Sequence, residues 1–334
     1  MIKFFRKIRQ KLLTENRFSK YLIYAIGEII LVVIGIMIAL YINNQNEARQ
    51  SKEKVEAIFA DIMDELITDT EKVTDLMQYY ATRDSTMLLI LNNKLTKEDY
   101  VKNEIPYLFT LTNNYTTANL TREAFNNLML YRDEVPEEYS EIIKDLNSLY
   151  NKTQVVVNDY DNELKSFISE TQKFRMQNYP WFVITTETDV NNVIEYRLND
   201  FKYKNELQNY RTLAIYNQLK FCTYFRQNAI NCYQKIADKL NKPRDHELFK
   251  FNEQLAKNLI GDWHLENDPD FTLSINLEDD RLYAVTYDGR KVEFFYIPRV
   301  NKILDSDMEF STIVRENDKT IIKYNSYNVV KEEP

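Results

Sequence analysis

Residues 21–42, YLIYAIGEIILVVIGIMIALYI, decide how the rest of the chain is read. They are 22 residues with one charge, Glu28. As an α-helix the run is about 33 Å long, which matches a hydrocarbon core of about 30 Å. A cleaved leader has a shorter apolar stretch and a small-x-small exit site, whereas this run is long, carries Glu28 and ends in ALYINN. The reading is an uncleaved spanning helix.

Upstream, residues 1–20 hold seven Lys or Arg against Glu15 alone. Such a cluster beside a first span is retained on the cytoplasmic side, which predicts a cytoplasmic N-terminus and an outer C-terminal portion. Ile2, Phe4, Phe5, Ile8, Leu12 and Leu13 share one helical face and Lys3, Arg6, Lys7 and Lys11 the other, with Arg9 interrupting the apolar side. This is the pattern of a basic interfacial helix that meets anionic inner-leaflet lipids. Without residues 1–42, the 43 basic and 51 acidic residues become 36 and 49, a net charge of −13. An acidic outer portion lacks the cationic face that nucleic-acid binding needs.

Inside the span, Glu28, Val32, Gly35 and Ala39 follow i, i+4, i+7, i+11 spacing, with Gly27 beside them. A carboxylate in a spanning helix turns to protein or water and not to lipid, and small residues let helices approach closely. The face is a packing or functional seam. In the first case a protonated or paired Glu28 glues helices of a homo-oligomer or envelope partner; in the second it is a proton-linked carboxylate of an envelope complex.

The segments MIKFFRKIRQKLL, NRFSKYLIYAIGEIILVVIGIMIAL and INNQNE resemble the N-terminal signature of a family of single-pass membrane proteins of Bacteroidota, the domain of unknown function 6090. The resemblance covers about 48 residues, including Gly27, Glu28 and Gly35. It implies a Gram-negative inner membrane and no particular activity.

Beyond the span, Phe59, Leu66, Val73, Tyr80 and Met87 recur every seven residues, with Ile62, Leu76 and Ile90 between them and Asp69 and Arg83 interrupting. This predicts one long amphipathic helix, almost continuous with the span because no Gly or Pro lies between Ala39 and Pro106, although the polar 43–54 stretch allows a bend. A coiled coil shares this pattern; charges at two seam positions favour an intramolecular bundle. Pro106 and Pro136 suit helix first turns. Further helices are expected from Asn119 to about Tyr131, from Pro136 to about Asn178, and from about Asn205 to Leu240.

After Gly261 the period changes to 2. Phe271, Leu273, Ile275 and Leu277 alternate with polar residues, Asp288-Gly289 separates two strand-like runs, and 308–314 and 321–324 continue the pattern. The expected class is mainly α with a C-terminal β unit (α+β). Its parts are a basic segment over 1–20, the span over 21–42, an extracytoplasmic helical bundle over 43–242, a linker with helix over 243–260, and a small antiparallel sheet or half-barrel over 261–334. The order Gly261, Asp262, Trp263, then FTLSINLEDDRLYAV, then FSTIVRENDKTIIKY loosely resembles a lipocalin-like appendage. In this reading Trp263 plugs the sheet core.

The four glycines, Gly27, Gly35, Gly261 and Gly289, form no phosphate loop, dinucleotide fingerprint or nucleophile elbow. His246 and His264 sit in no metal-ligand motif, and Cys222 and Cys232 lie about 15 Å apart along a helix, too far to bond to each other. The expectation is a membrane-anchored extracytoplasmic interaction or scaffold protein without enzymatic activity, cofactor or metal. The alternative is a ligand-sensing bundle, which requires a cavity between helices with convergent polar groups.

Overall fold

In the computed structural model, which describes Arg6, Gln10 and residues 18–316 and 319–332, one α-helix, α1, runs unbroken over Phe18–Leu91. The expected basic helix of residues 2–13 lies outside the described residues, apart from Arg6 and Gln10, which are helical and exposed. Within α1 the apolar residues 29–42 are exposed, and the helix is long and apolar enough to cross a membrane. The chain forms two compact units, one comprising residues 1–57 with 131–137 and the other the remainder. In the first, Lys54 Nζ lies 3.3 Å from the centroid of the Tyr131 ring.

In the second unit the heptad stripe is core. Phe59, Ile62, Leu66, Val73, Leu76, Tyr80, Met87 and Ile90 are all buried, within the helices of the same chain. Phe59 stacks on Tyr139 at 5.0 Å. After the short α2 (Lys97–Lys102) and α3 (Glu123–Leu130), α4 (Ser140–Ser148) and α5 (Gln154–Asn178) join through a π-helical segment, Leu149–Thr153. Then α6 spans Glu187–Asn199, and α7 (Phe201–Arg211) and α8 (Lys220–Leu240) join through another π segment, Thr212–Leu219. That segment carries Gln218, fully buried, which accepts from the Tyr80 hydroxyl (2.5 Å) and donates to Thr116 O (2.8 Å) and Asp161 Oδ1 (2.5 Å).

Asp69 interrupts the apolar stripe for a long-range reason. Its buried carboxylate accepts from the Thr121 amide (3.0 and 3.1 Å) and hydroxyl (2.7 Å) and pairs with Lys72 at 2.9 Å. Glu65 likewise accepts from the Ala124 amide at 2.8 Å. Glu65 thus satisfies a first-turn amide of α3 that an isolated helix leaves without a partner, and Asp69 holds the chain just before that helix.

Pro106 does not open a helix. Residues 106–113 are turns, Tyr107 has φ +66°, and buried arginines take the carbonyls that a helix would use. Arg197 donates to Leu108 O and Phe109 O (2.8 and 2.7 Å), and Arg175 to Thr112 O (3.0 Å). The helix α6 was not expected from the apolar pattern.

The β unit is a closed up-and-down barrel: β1 Gly261–Leu265, β2 Asp268–Glu278, β3 Arg281–Thr286, β4 Lys291–Ile297, β5 Lys302–Asp305, β6 Phe310–Glu316, β7 Lys319–Lys323 and β8 Asn328–Glu332. Each strand pairs antiparallel with the next, and β8 returns to β1 through His264↔Val330 and Leu265↔Val329. Closure removes the free edges of a half-barrel. The turn at Asp288-Gly289 is present, with Gly289 at φ +79°. A tighter hairpin lies at Asp279-Asp280, where both φ values are positive and Glu278 pairs with Arg281, the two-residue loop whose twist matches the strands.

The barrel packs on the helices through a buried charge cluster. Arg226 of α8 donates to Leu248 O at 2.7 Å and lies 5.4 Å from the Phe295 ring. Glu293 of β4 accepts from Gln227 at 2.9 Å and lies 3.6 Å from Arg281. Burial pushes the Glu293 carboxyl up and Arg226 down to about 10. Lys302 of β5 donates to Ala81 O (3.1 Å) and Ser85 Oγ (2.6 Å) of α1.

Residues 241–245 are exposed and irregular, so limited proteolysis is expected to nick there. The nicked fragments should stay together in size-exclusion chromatography. Glu293→Ala leaves the buried arginines without their carboxylate, and should weaken this association and lower stability by roughly 3 kcal/mol. Fragments of the unsubstituted chain that separate on nicking would contradict the packing described.

Candidate functional site at the open end of the barrel

In an up-and-down barrel, successive connections fall at alternate ends. One end here is packed. Trp263, Ile275, Leu282, Ile303 and Ile322 fill it together with Phe251, Ala256 and Leu259, the last two from α9 (Glu253–Leu259). The Trp263 indole is 1% exposed and donates to Leu259 O at 2.7 Å, which makes it the core plug expected from its place in the sequence. An eight-stranded barrel has room to be filled by side chains or to hold one small ligand. Here one end is filled by side chains and the other keeps a cavity.

At the other end lies a cavity of about 350 Å³. Its walls are Leu265, Phe271, Leu273, Ala284, Val292, Phe294 and Val329, and Thr286, Arg290, Asp305, Asp307, Tyr324 and Tyr327 form its polar side. These polar groups come from the last residues of β3 and β5 and from the turns that follow β3, β5 and β7. An apolar body with a few polar groups at one side, at this volume, is the general form of a small-molecule site. Tyr324 and Tyr327 stack at 4.6 Å, and Phe271 meets Tyr287 edge-on at 5.1 Å. Tyr287 is 73% exposed at the rim.

Asp305 is the buried ionisable group of this cavity, 5% exposed. Its Oδ1 accepts from the amides of Asp307 and Glu309, each at 3.0 Å, and so shapes the turn. Burial pushes its carboxyl up to about 6; Asp307 and Glu309 add to the rise and the two amides oppose it. At the rim, Arg290 pairs with Asp307 at 3.3 Å.

Other spaces fit a ligand less well. A cavity of about 460 Å³ at the junction of helices and barrel is lined by Arg226, Arg281 and Glu293, which already hold that junction together. A space of about 120 Å³ in the bundle borders Arg175 and Arg197, whose guanidinium groups are engaged with the carbonyls of the 106–113 turns. Among the described residues no group of three or more His, Cys, Asp or Glu side chains gathers as a metal site.

Of the residues singled out in the span, Glu28, Gly35 and Ala39 are exposed and share one face of α1, with Gly27 partly covered at its side. A Cβ added at Gly27 or Gly35 would meet nothing within 4 Å in this chain. They belong to the first compact unit, and the barrel belongs to the second. No family model, curated protein or solved structure matches the chain.

The raised carboxyl of Asp305 has a definite pH signature. Its ordinary value of 3.8 lies below its folded value of about 6, so the native state binds the extra proton between them and stability falls as pH rises through that window. Above pH 6 the full cost is present, on the order of 2–3 kcal/mol. Asp305→Asn keeps an acceptor for the two amides and has no charge to bury. It should match the parent near pH 4 and exceed it by about 2 kcal/mol at pH 7.5 in urea unfolding of the full chain. An offset that does not vary with pH would contradict the assignment.

Proposed function

We propose that this chain is a membrane-anchored binding protein of the bacterial envelope, whose barrel takes up a small, largely apolar molecule through its open end. The single observation that supports this reading is the 350 Å³ cavity with apolar walls and polar groups on one side. It favours a ligand held in the barrel over one held between the helices. The chain acts here as a binder and not as a catalyst.

The anchor is the helical run over 21–42, set in the inner membrane with its N-terminus in the cytoplasm and its barrel in the periplasm. Support comes from the seven basic residues before the span, Lys3, Arg6, Lys7 and Lys11 among them as contacts for anionic lipids, and from the N-terminal resemblance to the 6090 family. Glu28, Gly35 and Ala39, with Gly27, form the seam for a second copy or an envelope partner, a scaffold role that the exposed face of α1 is suited to.

Two measurements address this. A periplasm-dependent reporter fused after residue 334 should be active, and activity of a cytoplasm-dependent reporter there would reverse the orientation. In detergent, the full chain should bind 2-methoxynaphthalene, a neutral fluorescent probe, at one saturable site. Ala284→Phe fills the cavity with a ring and should lower that affinity at least tenfold. Equal binding by the filled variant would place the probe elsewhere and sink the reading.

A further inference from the structure

The polar side of the barrel cavity is chemically one-sided. Asp305, Asp307 and Glu309 occupy a single turn, and Glu309 Oε2 is buried without a hydrogen-bond partner. Two cations approach this turn, and each is already engaged. Arg290, on the turn after β3, pairs with Asp307. Arg211, on α7, bears on Glu309 together with Asp84 of α1, and Arg211 is itself bound to Asp84 at 2.6 Å and to the Tyr216 hydroxyl at 3.0 Å.

On the third side stand Tyr324 and Tyr327, whose stacked rings attract cations through their faces. The Tyr324 hydroxyl is directed at Asp305. With Asp307 paired to Arg290, Asp305 is left as the carboxyl group of the cavity lining without a cation of its own; Glu309, behind it on the same turn, adds negative charge. A ligand carboxylate would meet repulsion here, a hydroxyl a hydrogen-bond acceptor, and an ammonium the Asp305 carboxylate and two aromatic rings.

We propose that the open end of the barrel selects an amphipathic amine, its ammonium at Asp305 and the Tyr324–Tyr327 stack and its hydrocarbon body between Leu273, Ala284, Val292 and Val329. This rests on the reading of the barrel as a ligand site and narrows it to one chemical class. Binding of the ammonium holds Asp305 ionised. Below pH 6, where burial keeps Asp305 protonated in the empty barrel, binding therefore displaces a proton, and affinity rises from pH 5 to pH 7.5.

The test uses three water-soluble probes of one length, hexylamine, hexan-1-ol and hexanoate, titrated calorimetrically into the full chain in detergent at pH 7.5. The expected order is amine, alcohol, carboxylate, with hexylamine at least tenfold tighter than hexanoate and its affinity at least threefold weaker at pH 5. The ratio in the unsubstituted chain decides the question on its own. Asp305→Asn should bring the amine-to-carboxylate ratio below about three. Hexanoate binding as tightly as hexylamine, with 2-methoxynaphthalene still bound, would overturn the amine assignment and leave the barrel as an apolar site. Failure of all three probes together with the neutral dye would overturn the site itself.

Discussion

Arg226 is buried between α8 and the barrel wall, and the placement of the barrel follows from that constraint. A buried guanidinium is tolerated only with partners, and here these are the Leu248 carbonyl, the Phe295 ring and the nearby Glu293 carboxylate. Satisfying them fixes β4 against the helix. Arg281 and Lys302 then bring β3 and β5 into register with helical residues. One end of the barrel is filled by Trp263 and α9, and the opposite end keeps the cavity.

Elements built on local periodicity were legible before the structure, and those built on distant partners were not. The helical run over 21–42 and the stripe from Phe59 to Ile90 depend on local pattern within one helix, and every stripe residue at the apolar positions is buried. Asp69 read as an interruption because its partner, Thr121, is 52 residues away. Pro106 read as a helix start because the arginines that claim the following carbonyls lie far along the chain, at Arg175 and Arg197. The helix α6 did carry a local signal, a capping box in which Thr186 and Asp189 bond each other's amides, although its apolar stripe is weak.

The barrel was half legible. Alternation over β2, β3, β4 and β6 and the apolar run in β7 marked an antiparallel sheet, whereas β5 and β8, four and five residues long, did not stand out. Closure by β1 against β8 joins residues some 65 positions apart, as in His264↔Val330. The cavity was not legible at all, since its lining is spread from Leu265 to Val329 and contains no motif. That Glu28, Gly35 and Ala39 share one face of α1 was visible in the sequence by spacing, because helical periodicity needs no tertiary information.

The proposed anchor and the proposed binding element obey different rules. The apolar run is long and apolar enough to cross a membrane, the stripe forms the core of the bundle, and the barrel has one buried charge cluster at its wall and one cavity at its mouth. Hydrogen–deuterium exchange of the full chain in lipid nanodiscs, with and without saturating 2-methoxynaphthalene, tests this assignment most directly. The account predicts added protection confined to the connections at residues 266–267, 287–290, 306–309 and 324–327 and the strand ends that flank them. Protection appearing instead in the helices around Arg175 and Arg197, with those connections unchanged, would contradict it.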